Sequence, residues 1–293
     1  MKLKHKKVKS FDGTSIGYQT YGRGKKTIVL CNGLGGSVVA WKPLYQALGD
    51  RYRFISWDYR GLFKSKLPKN PEAMTIQDQA RDLEAILKKE KVTKALIAGW
   101  SMGVQVALEF YRLAPEKFSA LFLLNGTYGN PFHTALNSPL SRYILPQINE
   151  LAHRLAPALQ PRLVLVASRL IDWKGFVDII ARLGLVHKNL DRAIFKEVAR
   201  EMISTDLQVY HVLMRYLSRH SAAGVLKKIR VPTLIITGDE DIMTPKKVAE
   251  KMAHEIPKAE LFIVAQGTHY CLLEFPDTIL LRFKKFLGEH YSI

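Results

Sequence analysis

The sequence predicts an α/β fold in which helices flank a mostly parallel central sheet, with an all-helical cap inserted after the sixth strand. Short apolar runs rich in β-branched residues recur along the chain, and segments with helical periodicity separate them. This alternation is typical of a parallel sheet covered on both faces. Between residues 127 and 231 the strand pattern stops and only helical periodicity remains.

The strands before the insert begin with an antiparallel pair. Residues 8–21 are typical of a hairpin that turns at Asp12-Gly13, because this dipeptide favours two-residue hairpin loops. The apolar, β-branched runs predict the parallel strands at 27–31, 52–57, 95–99, 121–125, 233–237 and 261–264. Amphipathic periodicity predicts the flanking helices at 76–91, 104–112, 245–255 and 278–288.

The insert contains five segments with apolar residues at helical spacing, separated by Pro, Gly or Asn/Asp. They are 148–159, 161–171, 176–186, 192–203 and 207–217. Because strands resume directly after this region, we expect a cap on an α/β body. The predicted domains are a core formed by residues 1–126 and 232–293, and a helical cap formed by residues 127–231.

Length and composition describe a folded globular chain. It has 293 residues, 47% of them apolar, and two cysteines, which excludes collagen-like, disordered and disulfide-rich classes. The basic N-terminus is not followed by the apolar run of an export signal. No stretch approaches the ~18 apolar residues that a membrane span needs. We therefore expect a cytoplasmic protein.

The net charge of +18 is unevenly distributed. Residues 1–26 hold eight Lys/Arg and one acid, and residues 127–231 hold fifteen Lys/Arg and seven acids. The sequence has neither a zinc-finger spacing nor an RNA-binding aromatic motif, so we expect no nucleic-acid partner. The basic cap is a candidate for peripheral contact with anionic lipid or for attracting a carboxylated substrate, and a solvated basic face is the alternative.

The segment ALIAGWSMGV at 95–104 has the pattern G-x-S-x-G between a predicted strand and a predicted helix. In that context the pattern indicates a nucleophile elbow, in which a sharp turn presents Ser101 above the sheet. The turn is tight enough to require the small residues Gly99 and Gly103. The alternative is a glycine-rich loop that only packs a strand on a helix.

A serine nucleophile needs a general base, and the base needs an acid that orients it. The segment IITGDEDIMTP ends a predicted strand and offers Asp239, Glu240 and Asp241 as candidate acids. Among the nine histidines, His269 is the one that follows the last core strand. The order serine, acid, histidine and the positions at strand ends fit a catalytic triad.

These motifs together resemble the α/β-hydrolase fold family, over a region from about residue 13 to residue 286. The acid loop is similar to the family pattern G-x-x-D-x-x-x-P, and this similarity implies that Asp241 is the triad acid, with Asp239 as the alternative. The histidine loop resembles the family's Gly-His segment. The resemblance thus implies a triad of Ser101, Asp241 and His269.

The segment CNGLGGSVVAW after the first parallel strand resembles the family's His-Gly-x-Gly-Gly turn, with Asn32 in place of His. The resemblance implies an oxyanion hole formed by the backbone N–H groups of Leu34 and Met102. Gly33 and Gly35 flank Leu34 and let its amide turn inward.

Several other residues are interpreted as structural. Cys31 and Cys271 are expected to be buried small apolar residues rather than nucleophiles. Asp58 and Arg60 belong to a segment that resembles the family's Asp-x-Arg-Gly loop, and we expect them to stabilise a loop near the pocket. The sequence contains no H-E-x-x-H, no zinc spacing and no dinucleotide fingerprint, so we expect neither a metal nor a cofactor.

The resemblance implies a serine hydrolase that cleaves a carboxylic ester through an acyl-enzyme on Ser101, without a cofactor. The apolar insert favours a small to medium lipophilic acyl ester as the small-molecule substrate, or else forms the cap's own core. Two alternatives remain open. The same triad can serve an amidase or peptidase, a thioesterase, a C–C bond hydrolase or an acyltransferase, or the chain can be a slow-turnover ligand-binding protein.

Overall fold

The structure is a computed structural model and describes residues 2–292. At its centre lies one sheet of eight strands. The strands are β1 (Lys4–Lys9), β2 (Ser15–Tyr21), β3 (Lys26–Cys31), β4 (Tyr52–Trp57), β5 (Ala95–Trp100), β6 (Phe118–Leu124), β7 (Thr233–Gly238) and β8 (Ala259–Val264).

The order of the strands across the sheet is β1-β2-β4-β3-β5-β6-β7-β8. Strand β2 runs antiparallel to β1 and β4, and all other neighbours are parallel. The prediction of a mostly parallel sheet with an antiparallel edge is confirmed. The carboxyl ends of β3, β5, β6, β7 and β8 therefore meet at one edge of the sheet, where the loops after them lie close together.

Eleven α-helices accompany the sheet within residues 2–292. The short helices α1, α8 and α10 are not predicted from the sequence, because a helix of one or two turns shows little periodicity. The helices are α1 (Lys42–Leu48), α2 (Ile76–Lys89), α3 (Met102–Leu113), α4 (Ser141–Asp172), α5 (Phe176–Arg182), α6 (Arg192–Ser204), α7 (Leu207–Arg219), α8 (Ala223–Leu226), α9 (Lys246–Glu255), α10 (Cys271–Glu274) and α11 (Pro276–His290).

The sheet separates two hydrophobic layers because side chains alternate between its faces. In β5, Ala95 and Ile97 pack into a layer that contains α2, α3 and α9. Leu96 and Ala98 point the other way, into a layer that contains α1 and α11. Since β5 is covered on both faces, it is a rigid support for the loop that follows it.

Helices α4 to α8 lie between β6 and β7, so the predicted helical insert is present. The prediction of separate helices at 148–159 and 161–171 is wrong, because α4 is one helix of 32 residues with Pro146, Pro157 and Pro161 inside it. A proline removes one hydrogen bond and bends a helix, but it does not end the helix when neighbours hold both halves. Here α4 packs along α7 and α6. The domain limits 126/127 and 231/232 stay a prediction.

The antiparallel edge of the sheet is basic. The side chains of Lys4, Lys6, Lys7 and Lys9 in β1 are exposed, and β1 pairs with β2 alone among the described strands. Within residues 2–292, no helix combines the length and the apolar content that a bilayer crossing requires.

A buried ion pair fixes the loop after β4. The guanidinium of Arg60 is fully buried and contacts Asp82 of α2, whose side chain is also fully buried, at 2.7 Å. The same guanidinium contacts Asp12 of the hairpin turn at 2.6 Å. Asp58 accepts hydrogen bonds from the Gln19 side chain at 3.0 Å and from the Lys64 N–H at 3.1 Å. Both residues thus connect the hairpin to the body.

We expect the substitution Arg60→Met to lower the free energy of unfolding by about 3–5 kcal/mol, because it leaves the buried Asp82 carboxylate without a cation beside it. Urea-induced unfolding measures the change. Arg23→Met is the matched control, since both side chains of the Arg23–Asp50 pair are more than 70% exposed and such pairs contribute about 0–1 kcal/mol. Equal losses in both variants would contradict the structural role of Arg60.

Candidate active site

Ser101 stands at the sharp turn between β5 and α3. Its backbone has φ 55° and ψ −119°, a conformation that non-glycine residues rarely adopt. The Ser101 N–H is held by the carbonyl oxygens of Leu124 and Asn125, both at 3.1 Å. The strained turn therefore presents the hydroxyl at the carboxyl edge of the sheet.

The predicted elbow glycines are needed because three backbone segments approach each other closely. A Cβ on Gly103 would lie 2.0 Å from the carbonyl oxygen of Cys31 at the end of β3. A Cβ on Gly99 would lie 2.5 Å from the carbonyl oxygen of Gly103. Any side chain at either position would push α3 away from β3 and β5, and so would displace Ser101.

His269 lies in the loop after β8 and contacts both partners that the sequence assigns to it. Its Nε2 is 2.9 Å from Ser101 Oγ, and its Nδ1 is 2.9 Å from Asp241 Oδ2. Because the carboxylate only accepts, Nδ1 carries the proton and Nε2 is free to accept the serine proton. The Nε1–H of Trp100 donates to the carbonyl oxygen of His269 at 3.1 Å and fixes the loop.

Asp241 is buried, whereas the alternative acid Asp239 is exposed. The N–H groups of Met243 and Thr244 donate to Asp241 Oδ1, both at 2.9 Å, and the Thr244 hydroxyl donates to Oδ2 at 2.7 Å. Burial alone would raise the pKa of Asp241, but the electrostatic attraction to the His269 ring, the hydrogen bond from its Nδ1 and that from the Thr244 N–H hold the pKa below its usual value. The carboxylate is therefore ionised where it faces His269.

Asn125 is a positioning residue that the sequence analysis does not identify. Its Nδ2 donates to Asp241 Oδ2 at 2.8 Å and to the carbonyl oxygen of Thr268 at 3.1 Å. The Cys271 thiol donates to Asn125 Oδ1 at 2.9 Å and so fixes which end of the amide faces the carboxylate. A polar residue directly after a core strand was the available signal, but its partners lie after other strands.

The loop after β3 brings Leu34 next to Ser101. Met102 is the first residue of α3, so its N–H has no acceptor within the helix. The Leu34 N–H donates to no other group among residues 2–292. Gly33 lies against Trp100 and Ser101, and Gly35 has φ +70° beside the Tyr210 ring, so both flanking glycines allow the turn. These two amides can hold an oxygen that carries negative charge.

Asn32 is fully buried. It stands at the position where the family that the sequence resembles has His. Its Nδ2 donates to the Trp57 carbonyl oxygen at 2.8 Å, and its Oδ1 accepts from Trp41 Nε1 at 3.2 Å and from Ser56 Oγ at 3.1 Å. The Tyr59 hydroxyl donates to the Asn32 carbonyl oxygen at 2.7 Å. Asn32 thus anchors the loop that carries Leu34 to the end of β4.

A cavity of about 270 Å³ lies beside Ser101 and His269, between the sheet edge and the insert. Its wall is largely apolar, and helices α4, α6 and α7 of the insert contribute five of the residues that line it. The apolar and aromatic side chains that line it include those of Leu34, Phe132, Leu145, Met202, Tyr210, Met214, Leu217, Ile242 and Tyr270. Such a cavity suits a substrate with an apolar portion next to the reacting bond.

One polar contact joins the insert to the loop that follows Gly36. The Ser37 hydroxyl lies 2.8 and 2.7 Å from the two carboxylate oxygens of Glu201 in α6. Burial raises the pKa of Glu201 to about 7, and the neighbouring Glu197 charge adds to the rise, although the Ser37 hydrogen bond opposes it. Glu201 therefore changes charge near neutral pH at the contact between insert and body.

Two further groups of side chains carry nucleophilic or metal-ligating atoms, but neither takes part in the site. Cys31 and Cys271 are both buried, and burial raises the pKa of each thiol above its usual value, which makes both poor nucleophiles. The side chains of Glu260, Glu289 and His290 place ligand atoms within 4.8 Å of one another. Glu260 already contacts Arg282 and His290, and none of the three belongs to the loops around Ser101.

Comparison with known proteins gives three results. The model of a family described as "Alpha/beta hydrolase family" matches residues 28–280. The chain is 26% identical over 278 residues to a putative carbamate hydrolase RutD from Azorhizobium caulinodans, and the match covers 93% of this chain and 94% of that protein. A thermophilic esterase from Thermogutta terrifontis has the same fold, with a TM-score of 0.77, 20% identity and coverage of 99% of this chain and 100% of that one.

A second solved structure, an esterase from Exiguobacterium antarcticum, also shares the fold. Its TM-score is 0.77 at 18% identity, and the alignment covers 96% of this chain and 98% of that one. The helical insert is thus included in both structural alignments.

The geometry predicts that a fluorophosphonate probe labels Ser101. We expect His269→Ala to slow the labelling by at least about 100-fold, because the hydroxyl loses the group that accepts its proton. Intact-protein mass spectrometry follows the reaction, with Ser101→Ala as the negative control. Cys31→Ala should label at the wild-type rate, and labelling that persists in Ser101→Ala would contradict the assignment.

Glu201 predicts a pH dependence of stability. Its pKa of about 7 in the folded protein is above the unfolded value of 4.5, so the folded state binds more protons between these values. The free energy of unfolding therefore falls as the pH rises from about 5 to 8, and Glu201→Gln removes about 1–2 kcal/mol of this fall after allowance for partial exposure. Urea unfolding at both pH values measures it. The exposed Glu84→Gln should retain the wild-type slope, and an unchanged slope in Glu201→Gln would refute the assignment.

Proposed function

Because the chain belongs to the alpha/beta hydrolase family, whose model matches residues 28–280, we propose that it cleaves carboxylic esters through an acyl-enzyme on Ser101. The observation that carries the proposal is the unbroken line of hydrogen bonds from Ser101 Oγ through His269 to Asp241, next to an apolar cavity. This arrangement supports acyl transfer to a serine in a site that accepts a lipophilic acyl or alcohol group.

In the first step, Ser101 Oγ attacks the ester carbonyl carbon while His269 Nε2 takes the hydroxyl proton. The carbonyl oxygen becomes an anion, and the N–H groups of Leu34 and Met102 are the proposed donors that stabilise it. His269 then protonates the departing alkoxide, and the C–O bond to the alcohol breaks. Asp241 stabilises the imidazolium that exists between these events.

In the second step, water attacks the acyl-enzyme and His269 takes its proton. The second tetrahedral anion collapses, the carboxylic acid leaves, and His269 returns the proton to Ser101 Oγ. The two steps consume one ester and one water molecule, and they regenerate Ser101 and His269. The close approach of Gly99 to Gly103 and of Gly103 to Cys31 fixes the backbone that carries the Ser101 hydroxyl.

A carbamate is the second candidate substrate. The relative from Azorhizobium caulinodans is named a putative carbamate hydrolase, and its match covers 93% of this chain. The same triad can attack a carbamate carbonyl. The apolar wall of the cavity favours an ester with a hydrocarbon portion, because a small polar carbamate would leave that wall without contacts.

We expect hydrolysis of p-nitrophenyl esters from acetate to palmitate, with kcat/KM highest at a medium chain length. Met214→Trp fills the wall of the cavity and should move the maximum to a shorter chain. Steady-state kinetics measures both effects. Ser101→Ala should lose about 10⁴-fold or more of kcat, while Ser204→Ala, an exposed serine in the insert, should match wild type.

Three other results would count against this assignment. A maximum at acetate that Met214→Trp does not move would contradict the lipophilic pocket. Faster turnover of a carbamate than of every ester would favour the second candidate. No turnover of any ester, with Ser101 still labelled by a fluorophosphonate, would exclude the ester class while keeping the nucleophile.

A further inference from the structure

Helix α4 carries a long apolar surface that no part of the described chain covers. We define the outer face of α4 by Ile144, Ile148, Leu151, Leu155, Val166 and Leu170. Their exposed fractions lie between 44% and 58%. Large apolar side chains exposed singly are ordinary, but a contiguous row of them marks an interaction surface.

The outer face forms one row along the helix. Ile144, Ile148, Leu151 and Leu155 follow each other at intervals of four, three and four residues, which keeps them on one side of an α-helix. Val166 stands eleven residues after Leu155, which is about three turns and returns to the same side. The opposite side of α4, with Ala156 and Ile171, is buried against the insert. An ordinary surface helix would carry polar residues where this row lies.

Positive charge lies on the same face. Arg162 and Arg169 stand seven and fourteen residues after Leu155, so they project close to the apolar row. Neither makes an ion pair among residues 2–292, whereas the acids Glu150 and Asp172 of α4 pair with Arg154 and Arg200. The surface is therefore apolar with unneutralised cationic groups, which complements a layer of anionic headgroups above hydrocarbon.

Aromatic residues stand near both ends of the row. Tyr143 is 58% exposed at the start of α4, and Trp173 is 52% exposed directly after its last residue. Tyrosine and tryptophan favour the interface between membrane and water, because each has an apolar body and a polar tip. At about 1.5 Å per residue, the helix between them is roughly 48 Å long, enough to lie along a bilayer surface.

The face also borders the opening of the cavity beside Ser101. Leu145, the neighbour of Ile144, lines that cavity, as do Leu136 and Met243, which are 54% and 50% exposed. Helix α4 thus contributes both the outer face and part of the cavity wall.

We propose that the outer face of α4 docks on a lipid bilayer that contains anionic lipids, with the helix lying in the plane of the interface. The apolar row enters the boundary between headgroups and acyl chains, and Arg162 and Arg169 contact the headgroup phosphates. A second copy of the chain is a poorer occupant, because a two-fold contact would place the same unneutralised basic surface against itself. The docking does not depend on the proposed function.

The test uses Ser101→Ala protein, so that no lipid is consumed and binding is measured apart from catalysis. Sucrose-loaded vesicles of phosphatidylcholine in which roughly a third of the lipid is phosphatidylglycerol are sedimented with the protein. We expect binding to these vesicles, weakening at about 0.5 M salt, and at least about tenfold weaker binding to phosphatidylcholine alone.

Trp173 supplies a spectroscopic report on the docked surface. The other three tryptophans, Trp41, Trp57 and Trp100, are buried. Tryptophan emission should shift to shorter wavelength on vesicle addition, and brominated lipid should quench it. Trp173→Phe should remove both effects and leave sedimentation within about twofold, because phenylalanine retains most of the apolar contact.

Two double variants separate the apolar and the charged contributions. Leu151→Gln with Leu155→Gln and Arg162→Gln with Arg169→Gln should each weaken vesicle binding by about tenfold or more. The matched control is Leu281→Gln on α11, a leucine that is 72% exposed on the body and should not change binding. All of these positions are exposed, so circular dichroism and the Tm should match those of the parent protein.

Two kinds of outcome would overturn the proposal. The first is that the protein does not bind anionic vesicles, or that the α4 variants bind them as well as the parent protein does. If substitution of Lys4 and Lys6 abolished such vesicle binding, the binding surface would be β1. The second is a concentration-dependent dimer in analytical ultracentrifugation that Leu151→Gln with Leu155→Gln dissociates in the absence of lipid. That result would assign the face to a second copy of the chain.

Discussion

The candidate site depends on one steric constraint, the contact between the start of α3 and the end of β3. Gly103 lies so close to the Cys31 carbonyl oxygen that no side chain fits between them, and Gly99 approaches Gly103 in the same way. This contact forces the backbone of Ser101 into its strained conformation. It also brings Leu34, which follows β3, beside the serine. One close packing of backbone thus positions both the hydroxyl and an amide that can face it.

The second requirement is a buried carboxylate, and loops from three neighbouring strands supply its partners. Asn125 follows β6, Thr244 lies in the loop after β7, and His269 follows β8. Because a buried carboxylate is costly unless hydrogen bonds satisfy it, these three loops are tied to one another as well as to Asp241. Because β6, β7 and β8 are parallel neighbours, the loops after them meet at one edge of the sheet. The hydrogen bonds that stabilise the Asp241 carboxylate therefore depend on the sheet topology.

Sequence reasoning succeeds here where the signal is local. The strand before Ser101, the helix after it and the glycines around it are adjacent in the chain, and the hairpin turn at Asp12-Gly13 is equally local. It fails where partners are distant: Asn125 meets Asp241 and Cys271 only because β6 lies beside β7 in the folded sheet. The prolines of α4 predict a break in the helix, because its packing against α6 and α7 is not visible in the sequence. Helical periodicity predicts apolar helices in the insert, but it does not predict that one apolar side of α4 faces outward.

The lysines of β1 affect how the exposed edge of the sheet meets other molecules. An edge strand presents unpaired N–H and C=O groups, to which the edge of another molecule can add. Exposed Lys4, Lys6, Lys7 and Lys9 place positive charge along that edge, so two such edges repel each other before their backbones can pair. Four of the eight Lys/Arg in the first 26 residues therefore lie where their charge disfavours the pairing of this strand with another molecule.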